Sequence, residues 1–454
     1  RGAEGEPVAF VIPAQQHDPL TMEKMIQRLL WQGIEVQEAS DEFVHEGRVY
    51  GPGSYVVTMA QPKRGVIRWL LGRTFYPQNS YTRRPDGSPI RPYDMSGDVM
   101  AEFMGVHVDP VRTAPDAPLR VVTNWMMPEG RLARGTNGFH IEATANDAFR
   151  AVNMLWDEGV TVRRFVRDHG PHPAGSWWVP DVSDAVASRV ARETGVTFHA
   201  MNASAGDDFA PVAERQRVAM FQAYGGNMDE GWTRLVLERF GFPYTTIKAE
   251  DVAAGNLGAR FDIVILPEDN LASMRGDNVD EDQIPPGYRE GFGEEGVDAL
   301  EAFVTGGGRL VTFGGAGELP IEEFDAFPVV DIVDGVPNTE FWAHGSTLRV
   351  NVDTSHPLAW GMPDRTQVVF FGDNQVYEVQ GFGTSQMADK VVTYVDRDLL
   401  QSGQLDGEDL IANRAALLQV EHGGGDVVLI GFRTQHRGQT HGTFKFLFNS
   451  LVNP

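Results

Sequence analysis

The stretch RLVTFGGAGELP, Arg309 to Pro320, reads as a short apolar strand running into a glycine-rich turn. A short run carrying Leu310, Val311 and Phe313 and bounded by glycines on both sides is the pattern of a buried central strand in an α/β sheet. Gly314, Gly315 and Gly317 tolerate the positive φ and close backbone approach needed by a turn that displays a reactive side chain. Ala316, at the centre of GGAGE, offers only a methyl group. The spacing therefore predicts a buried parallel strand over RLVTF, and a tight turn at its carboxyl end with Ala316 where a nucleophile would sit.

The residues around this stretch extend the same pattern. From Arg217, RVAMFQAY reads as a strand, WTRLVLERFG as a helix, PYTTIKA and RFDIVILP as strands, and GVDALEAFVTGGG as the helix feeding RLVTFGG. Alternating β and α elements predict parallel strands in an open, doubly wound sheet. The remainder, from TLRVNVD to DVVLIGF, is strand-rich and closes with a helix over GTFKFLFNSLV.

Ahead of this region, two segments share one plan. DPLTMEKMIQRLLWQG has helical spacing, with Asp18 as N-cap and Gly33 as the stop, and is followed by strands IEVQEAS and GPGSYVVTMA. NDAFRAVNMLWDEG, VTVRRFV and PAGSWWVP repeat the order, aligning Gly33 with Gly159 and Gly53 with Gly175. This reads as an internal duplication, although helix-Gly-strand punctuation is common in α/β chains. Between them, YPQNSYTRRPDGSPIRPYDMSGDVMAEFMGVHVDPVRTAPDAP reads as a long irregular connection, and NASAGDDFAPVAERQ marks a second boundary. The predicted architecture is α/β throughout: a small module over 1–115, a related module over 116–212 and a doubly wound, flavodoxin-like domain over 213–454.

Composition narrows the function. The 454 residues carry a formal net charge of -25, which repels nucleic acid and anionic membranes over most of the surface. With no cysteine, disulfides, thiolate catalysis and Cys-ligated metals are excluded. No run reaches the ~18 apolar residues of a membrane span. The chain starts at Arg1 and enters a strand almost at once, so we expect a processed or excised piece, exported to a periplasmic or extracellular location.

The third region resembles the class I glutamine amidotransferase-like fold, on EAFVTGGGRLVTFGGAGE. More widely, IPPGYREGFGEEGVDALEAFVTGGGRLVTFG, HPLAWGMP and SGQLDGEDLIANRAALLQVEHGGGDVVLIGFRTQHRGQTHGTFKFLFNSLVN look like the C-terminal part of bacterial zinc carboxypeptidase-like proteins of the carboxypeptidase A superfamily. GPGSYVV, QPKRGVIRWLL and RPYDMSGDVMAEFMGV are similar to the segment after the catalytic domain in that group. The resemblance implies a region attached to a zinc peptidase domain. That domain's own signature is missing here, because none of the twelve histidines has Glu three residues later and His45-Glu46 is followed by Val49 where HExxH requires His. Zinc is accordingly expected only in the peptidase domain, and this chain is expected to hold neither metal nor cofactor.

Several stretches are candidate sites. FRTQHRGQTH places Arg433, His436, Arg437, Gln439 and His441 just after the predicted strand DVVLIGF, where an open sheet binds ligands, and its arginines suit an anion or peptide carboxylate. Arg433, His436, Arg437 and His441 with Gly314, Gly315 and Ala316 make the candidate pocket; pairing with surface acids is the structural alternative. GFGEEG, Gly291 to Gly296, fits GxGxxG but follows a Pro-rich loop and carries Glu294 and Glu295, so it reads as a capping turn before VDALEAFV. MRGDNVDEDQIPP lacks EF-hand spacing and reads as a solvated loop. His169-Gly-Pro-His172 has no third ligand nearby in sequence. RTFYPQNSYTRRPDGSPIRPYD interleaves Arg and Tyr, which in so acidic a chain points to packing against another domain.

Three function classes follow. The leading one is a non-catalytic accessory region that docks to, or shapes substrate access for, a peptidase domain of the same parent protein. The others are an independent hydrolase using the FRTQHRGQTH pocket with an acid such as Glu318 or Asp269, and a module binding peptide or sugar.

Overall fold

Asp18 starts the first helix as its sequence predicts: its carboxylate accepts the Thr21 amide at 3.0 Å, and Pro19 follows at the first helical position. The structure is a computed structural model and describes residues 5–277, 291–381 and 387–453. In it β1 (Ala9–Ile12), α1 (Pro19–Trp31), β2 (Gln37–Ala39), β3 (Tyr55–Thr58), β4 (Asp109–Val111) and β5 (Leu119–Val121) form an antiparallel sheet in the order β4-β1-β3-β2-β5. The helix buries Met22, Met25, Ile26 and Leu29, one face of a 3.6-residue period.

Next, β6 (Phe139–Ile141), α2 (Asp147–Asp157), β7 (Arg163–Arg164), β8 (Trp177–Val179) and β9 (His199–Ala200) form a second antiparallel sheet, ordered β9-β6-β8-β7. Its local geometry repeats that of the first. Gly33 and Gly159 lie two residues past their helices with φ of 71° and 70°, and the amides of Ile34 and Val160 reach back to Leu29 and Leu155 at 3.1 and 3.0 Å. Such a left-handed residue closes a helix at low steric cost when it is glycine. Gly53 and Gly175, with φ of 82° and 86°, donate their amides to Ala39 and Phe165 at 2.9 and 2.7 Å. The hydroxyls of Ser54 and Ser176, one residue on, each reach a carbonyl three residues back, at 2.7 Å.

The connection between the two sheets is more regular than its Pro- and Gly-rich composition predicts. Its later part holds the short helix Met100–Met104 and the edge strand β4, because Ala101, Phe103 and Met104 are apolar enough to bury. Its earlier part packs on the third region: Arg83 pairs with Asp406 at 2.7 Å, and Ser96 donates to the His344 carbonyl at 2.8 Å.

The third region contains β10 (Val218–Phe221), α3 (Met228–Phe240), β11 (Thr245–Ile247), β12 (Ile263–Leu266), α4 (Gly293–Thr305), β13 (Arg309–Phe313), α5 (Glu318–Glu323), β14 (Ser346–Val352), β15 (Arg365–Phe370), β16 (Ala388–Tyr394), β17 (Ala415–His422), β18 (Gly425–Ile430) and α6 (Phe444–Ser450). One sheet runs β11-β10-β12-β13-β18-β17-β16-β14-β15. Its first five strands are parallel and the rest antiparallel. In chain order the parallel half reads 2-1-3-4-5, which puts the switch point between β10 and β12. The GEEG of GFGEEG does not precede α4 as a capping turn; it is the helix's first turn, where Glu294 and Glu295 are favoured by the helix dipole. The greater part of MRGDNVDEDQIPP lies outside the described residues.

The second sheet and the parallel region share one continuous apolar core. Phe448 of α6 sits 5.3 Å from Phe149 of α2, 4.7 Å from Phe240 and 5.1 Å from Phe242. Arg164 crosses the same boundary fully buried, its guanidinium 4.5 Å from Trp177 and 4.8 Å from Trp360 and hydrogen-bonded to Asn449. Burial pushes it down to about 9. Phe448→Ala is therefore expected to cost ~3–5 kcal/mol, the usual range for a buried Phe, and to loosen both sheets together. The denaturation midpoint followed by tryptophan fluorescence and by far-UV circular dichroism should shift by the same amount.

Candidate functional site

The RLVTF strand is β13, flanked by parallel β12 and β18 and buried at Leu310 to Phe313. GGAG after it is one turn of 3-10 helix that runs directly into α5. The strained residue is not Ala316. Gly314, at the end of the strand, takes φ 50°, while Ala316 lies inside the turn, fully buried among the apolar side chains that include Leu319 and Phe324. Gly315 and Gly317 are needed for close approach rather than for positive φ: a Cβ there would lie 2.9 Å from the Asp269 carbonyl or 2.2 Å from Gln375 Oε1. A Cβ on Gly314 would lie 2.7 Å from Glu268 Cγ. The position ahead of the elbow is thus filled by Glu268.

Glu268 belongs to a charged cluster at the carboxyl ends of the parallel strands. Asp229 follows β10 on the first turn of α3, Glu268 follows β12, Asp373 lies in the loop after β15, and Arg433 follows β18. The Arg433 guanidinium meets Asp229 at 2.7 Å, Glu268 at 2.7 Å and Asp373 at 2.6 Å. It also lies 4.7 Å from the Phe371 ring. Asp229 is buried, Glu268 is mostly covered and Asp373 is half-exposed, so solvent reaches the cluster from one side. Burial pushes Glu268 up to about 8 and Asp229 up to about 6, outweighing Arg433, with Asp373 adding to both. Arg433 Nε, and Asn374 Nδ2 and Gln375 Nε2 in the two residues after Asp373, are buried without a protein acceptor.

The other predicted pocket residues separate. His436 is buried against Trp232 and Phe371, each ring 5.0 Å away, and burial pushes it down to about 3. Arg437 turns outward with φ 53° and grips Asp94 of the first connection through two bonds of 2.9 and 2.6 Å. His441 leaves the site: it lies buried between α1 and α2, where Arg28 Nη2 approaches its Nε2 at 3.2 Å and its carbonyl accepts from Asn146 at 2.8 Å. Nearby Lys24, Arg28, Arg239 and Lys445 add to burial in keeping it neutral. The expected convergence of Arg437 and His441 on one cleft is therefore corrected: a turn through Gly438 and Thr440 sends the two in different directions, and each satisfies a different neighbour.

Sequence reading missed Asp229, Glu268 and Asp373, whose signal was their place just beyond apolar strands or beside Gly372. It also missed His344, whose Nε2 accepts from Arg91 at 3.1 Å. The alternative acids are differently occupied, Asp269 accepting the Asn270 amide at 2.9 Å and Glu318 facing the Leu271 amide at 3.5 Å. His172 does have further histidines nearby: the His140 ring is 4.4 Å away, and His199 lies 6.3 Å from His140 across the ladder. Among the described residues, however, no group of three His, Asp or Glu is arranged to hold a metal ion, and no helix is long and apolar enough to cross a membrane. A cleft of about 770 Å3 lies at the opposite, amino edge of the sheet, lined by Gly306, Gly424 and the Arg309–Asp426 pair.

No protein-family model matches the chain, and no curated protein matches it significantly. Solved structures that resemble it include a cytoplasmic protein of Salmonella typhimurium, with 12% identity over 52% of this chain and 97% of that one and a TM-score of 0.33. A putative ThuA-like protein from Bacteroides uniformis has 10% identity over 55% and 93%, with a TM-score of 0.29. PurLQS from Thermotoga maritima has 14% over 52% and 98%, with a TM-score of 0.32. The chain is a mixed α/β protein of several sheets.

Removing the arginine would strand buried carboxylates, so Arg433→Ala is expected to destabilise the chain by ~3–5 kcal/mol, read from chemical denaturation. Glu268 and Asp229 hold protons more tightly folded than unfolded. Their contribution to stability is therefore fully present below the ordinary carboxylate range of about 4 and is lost as pH rises to about 8. The melting temperature should fall across that window, and Glu268→Gln should flatten the fall. An unchanged slope in the variant would count against the assignment.

Proposed function

We propose that this chain is a non-catalytic accessory region of a zinc carboxypeptidase-like protein, carrying two duplicated α/β modules and a degenerate glutamine amidotransferase-like domain. Its role is to dock to a peptidase domain outside the chain and shape substrate access to it, with the whole exported. The observation that carries the non-catalytic part is the filled elbow. The strained position is glycine, the central residue is an alanine buried among apolar side chains, and Glu268, held by Arg433, fills the space beside Gly314. Acyl transfer through that turn has no attacking atom. The matched φ values and hydrogen bonds at Gly33 and Gly159, and at Gly53 and Gly175, support the duplication.

A second reading, an independent hydrolase or a peptide- or sugar-binding module, draws on the same cluster. Carboxyls held near neutrality beside unpartnered N–H groups, at the carboxyl ends of parallel strands, are what a polar ligand site needs. On this reading Glu268 takes the place of Glu318 or Asp269.

One measurement tests the filled elbow and a second separates the two readings. Ala316→Cys should confer no glutamine hydrolysis, and its thiol should react with a disulfide reagent only after denaturation, because the position is buried in apolar contacts. This chain should hydrolyse neither peptides nor glycosides, yet change the rate or specificity of a zinc carboxypeptidase-like domain added in trans. Peptide or glycoside turnover abolished by Glu268→Gln would favour the hydrolase instead.

A further inference from the structure

A cleft of about 670 Å3 opens between the first module and β15, away from the Arg433 cluster. That volume is ordinary for a small-molecule site, ~300–1,000 Å3. Buried Phe10, Leu71 and Val106 give it an apolar floor, and Arg68, Arg73 and Arg365 line it with exposed guanidinium groups.

In a chain of net charge -25 these three arginines would be expected to find carboxylates, yet none of them forms an ion pair among the described residues. Arg68 makes one hydrogen bond, to the Glu6 carbonyl at 3.3 Å. The acids of the lining are already occupied. Glu102 accepts from Thr347 at 2.5 Å and Ser402 at 2.8 Å, and burial raises its pKa against the opposing pull of these bonds and of the Arg73 charge, which lies near it without forming an ion pair. Asp109 accepts from Arg48 at 2.6 Å, His107 at 2.9 Å and Tyr50 at 3.1 Å. Gln401, also on the lining, accepts from Arg349 at 2.7 Å. The charge on Arg73 adds to burial in disfavouring that on Arg349, so a fourth guanidinium shares the neighbourhood.

We propose that this cleft binds an organic carboxylate with an apolar body of a few carbons, the carboxylate held by Arg73 and Arg365 and the body lying on Phe10, Leu71 and Val106. Planar guanidinium forks match a carboxylate in two parallel bonds, and the apolar floor rewards a hydrocarbon body that inorganic anions lack. The inference does not depend on the peptidase assignment, since the lining shares no residue with the elbow or the Arg433 cluster.

Calorimetric titration of the full chain at low salt, with N-acetyl-leucine, N-acetyl-leucinamide and inorganic phosphate, tests it. The acid should bind at one site at least about tenfold more tightly than the amide or phosphate. Arg73→Gln with Arg365→Gln should weaken acid binding by about tenfold or more at an unchanged melting temperature, whereas Arg397→Gln, outside this cleft, should bind as the parent does. Equal binding of the amide, equal binding of phosphate, retained binding by the double variant, or no binding of the acid would each overturn the proposal.

Discussion

One buried arginine holds the carboxyl edge of the parallel sheet together. Arg433 sits among Asp229, Glu268 and Asp373, so a single guanidinium ties the start of α3, the end of β12 and the loop after β15 to the end of β18. Three carboxylates on one cation leave an excess of negative charge in a poorly solvated place, and the cluster relieves it by holding Glu268 and Asp229 close to neutrality. Desolvation makes the arrangement costly to break from either side: without the arginine the acids are unpaired, and without the acids the cation is.

The same cluster explains the elbow. A turn that presents a nucleophile needs open space ahead of it, and here Glu268 and Asn374 come within van der Waals reach of a side chain at Gly314. The glycines are retained by packing. Gly314 turns the chain at the end of β13, and Gly315 and Gly317 let the turn lie against Asp269 and Gln375. The polar groups at this edge and the arginine-lined cleft beside the first module are separate pieces of chemistry on one scaffold.

That scaffold is more tightly joined than a string of modules. Arg164 and Phe448 carry the core of the second sheet into the parallel region, while Ser96 and Arg83 fasten the first connection to the antiparallel half and Asp94 fastens it to the turn after β18. These contacts pair residues distant in sequence, so their energies depend on the sheets already being assembled.

What could be read from residues alone was local and periodic. Asp18 and Pro19 start a helix because a carboxylate satisfies a free amide and proline needs none; RLVTF is a buried strand because a short apolar run between glycines has few other places to go. The recurrence of Gly33 at Gly159 and Gly53 at Gly175 was visible because left-handed turns select glycine wherever they occur. The location of Arg433 and the absence of a nucleophile at GGAGE were legible for the same reason, each being set by one strand and its end. Which acids Arg433 meets was not, because Asp229, Glu268 and Asp373 stand on three different elements and look like ordinary surface carboxylates in the sequence. Nor could residue order send His441 into the interface between α1 and α2 while Arg437, four positions earlier, reaches Asp94. Sequence spacing sets hydrogen bonds within a few residues, but the desolvation and charge pairing that define a site depend on which surfaces meet, and those were decided by the packing of the sheets.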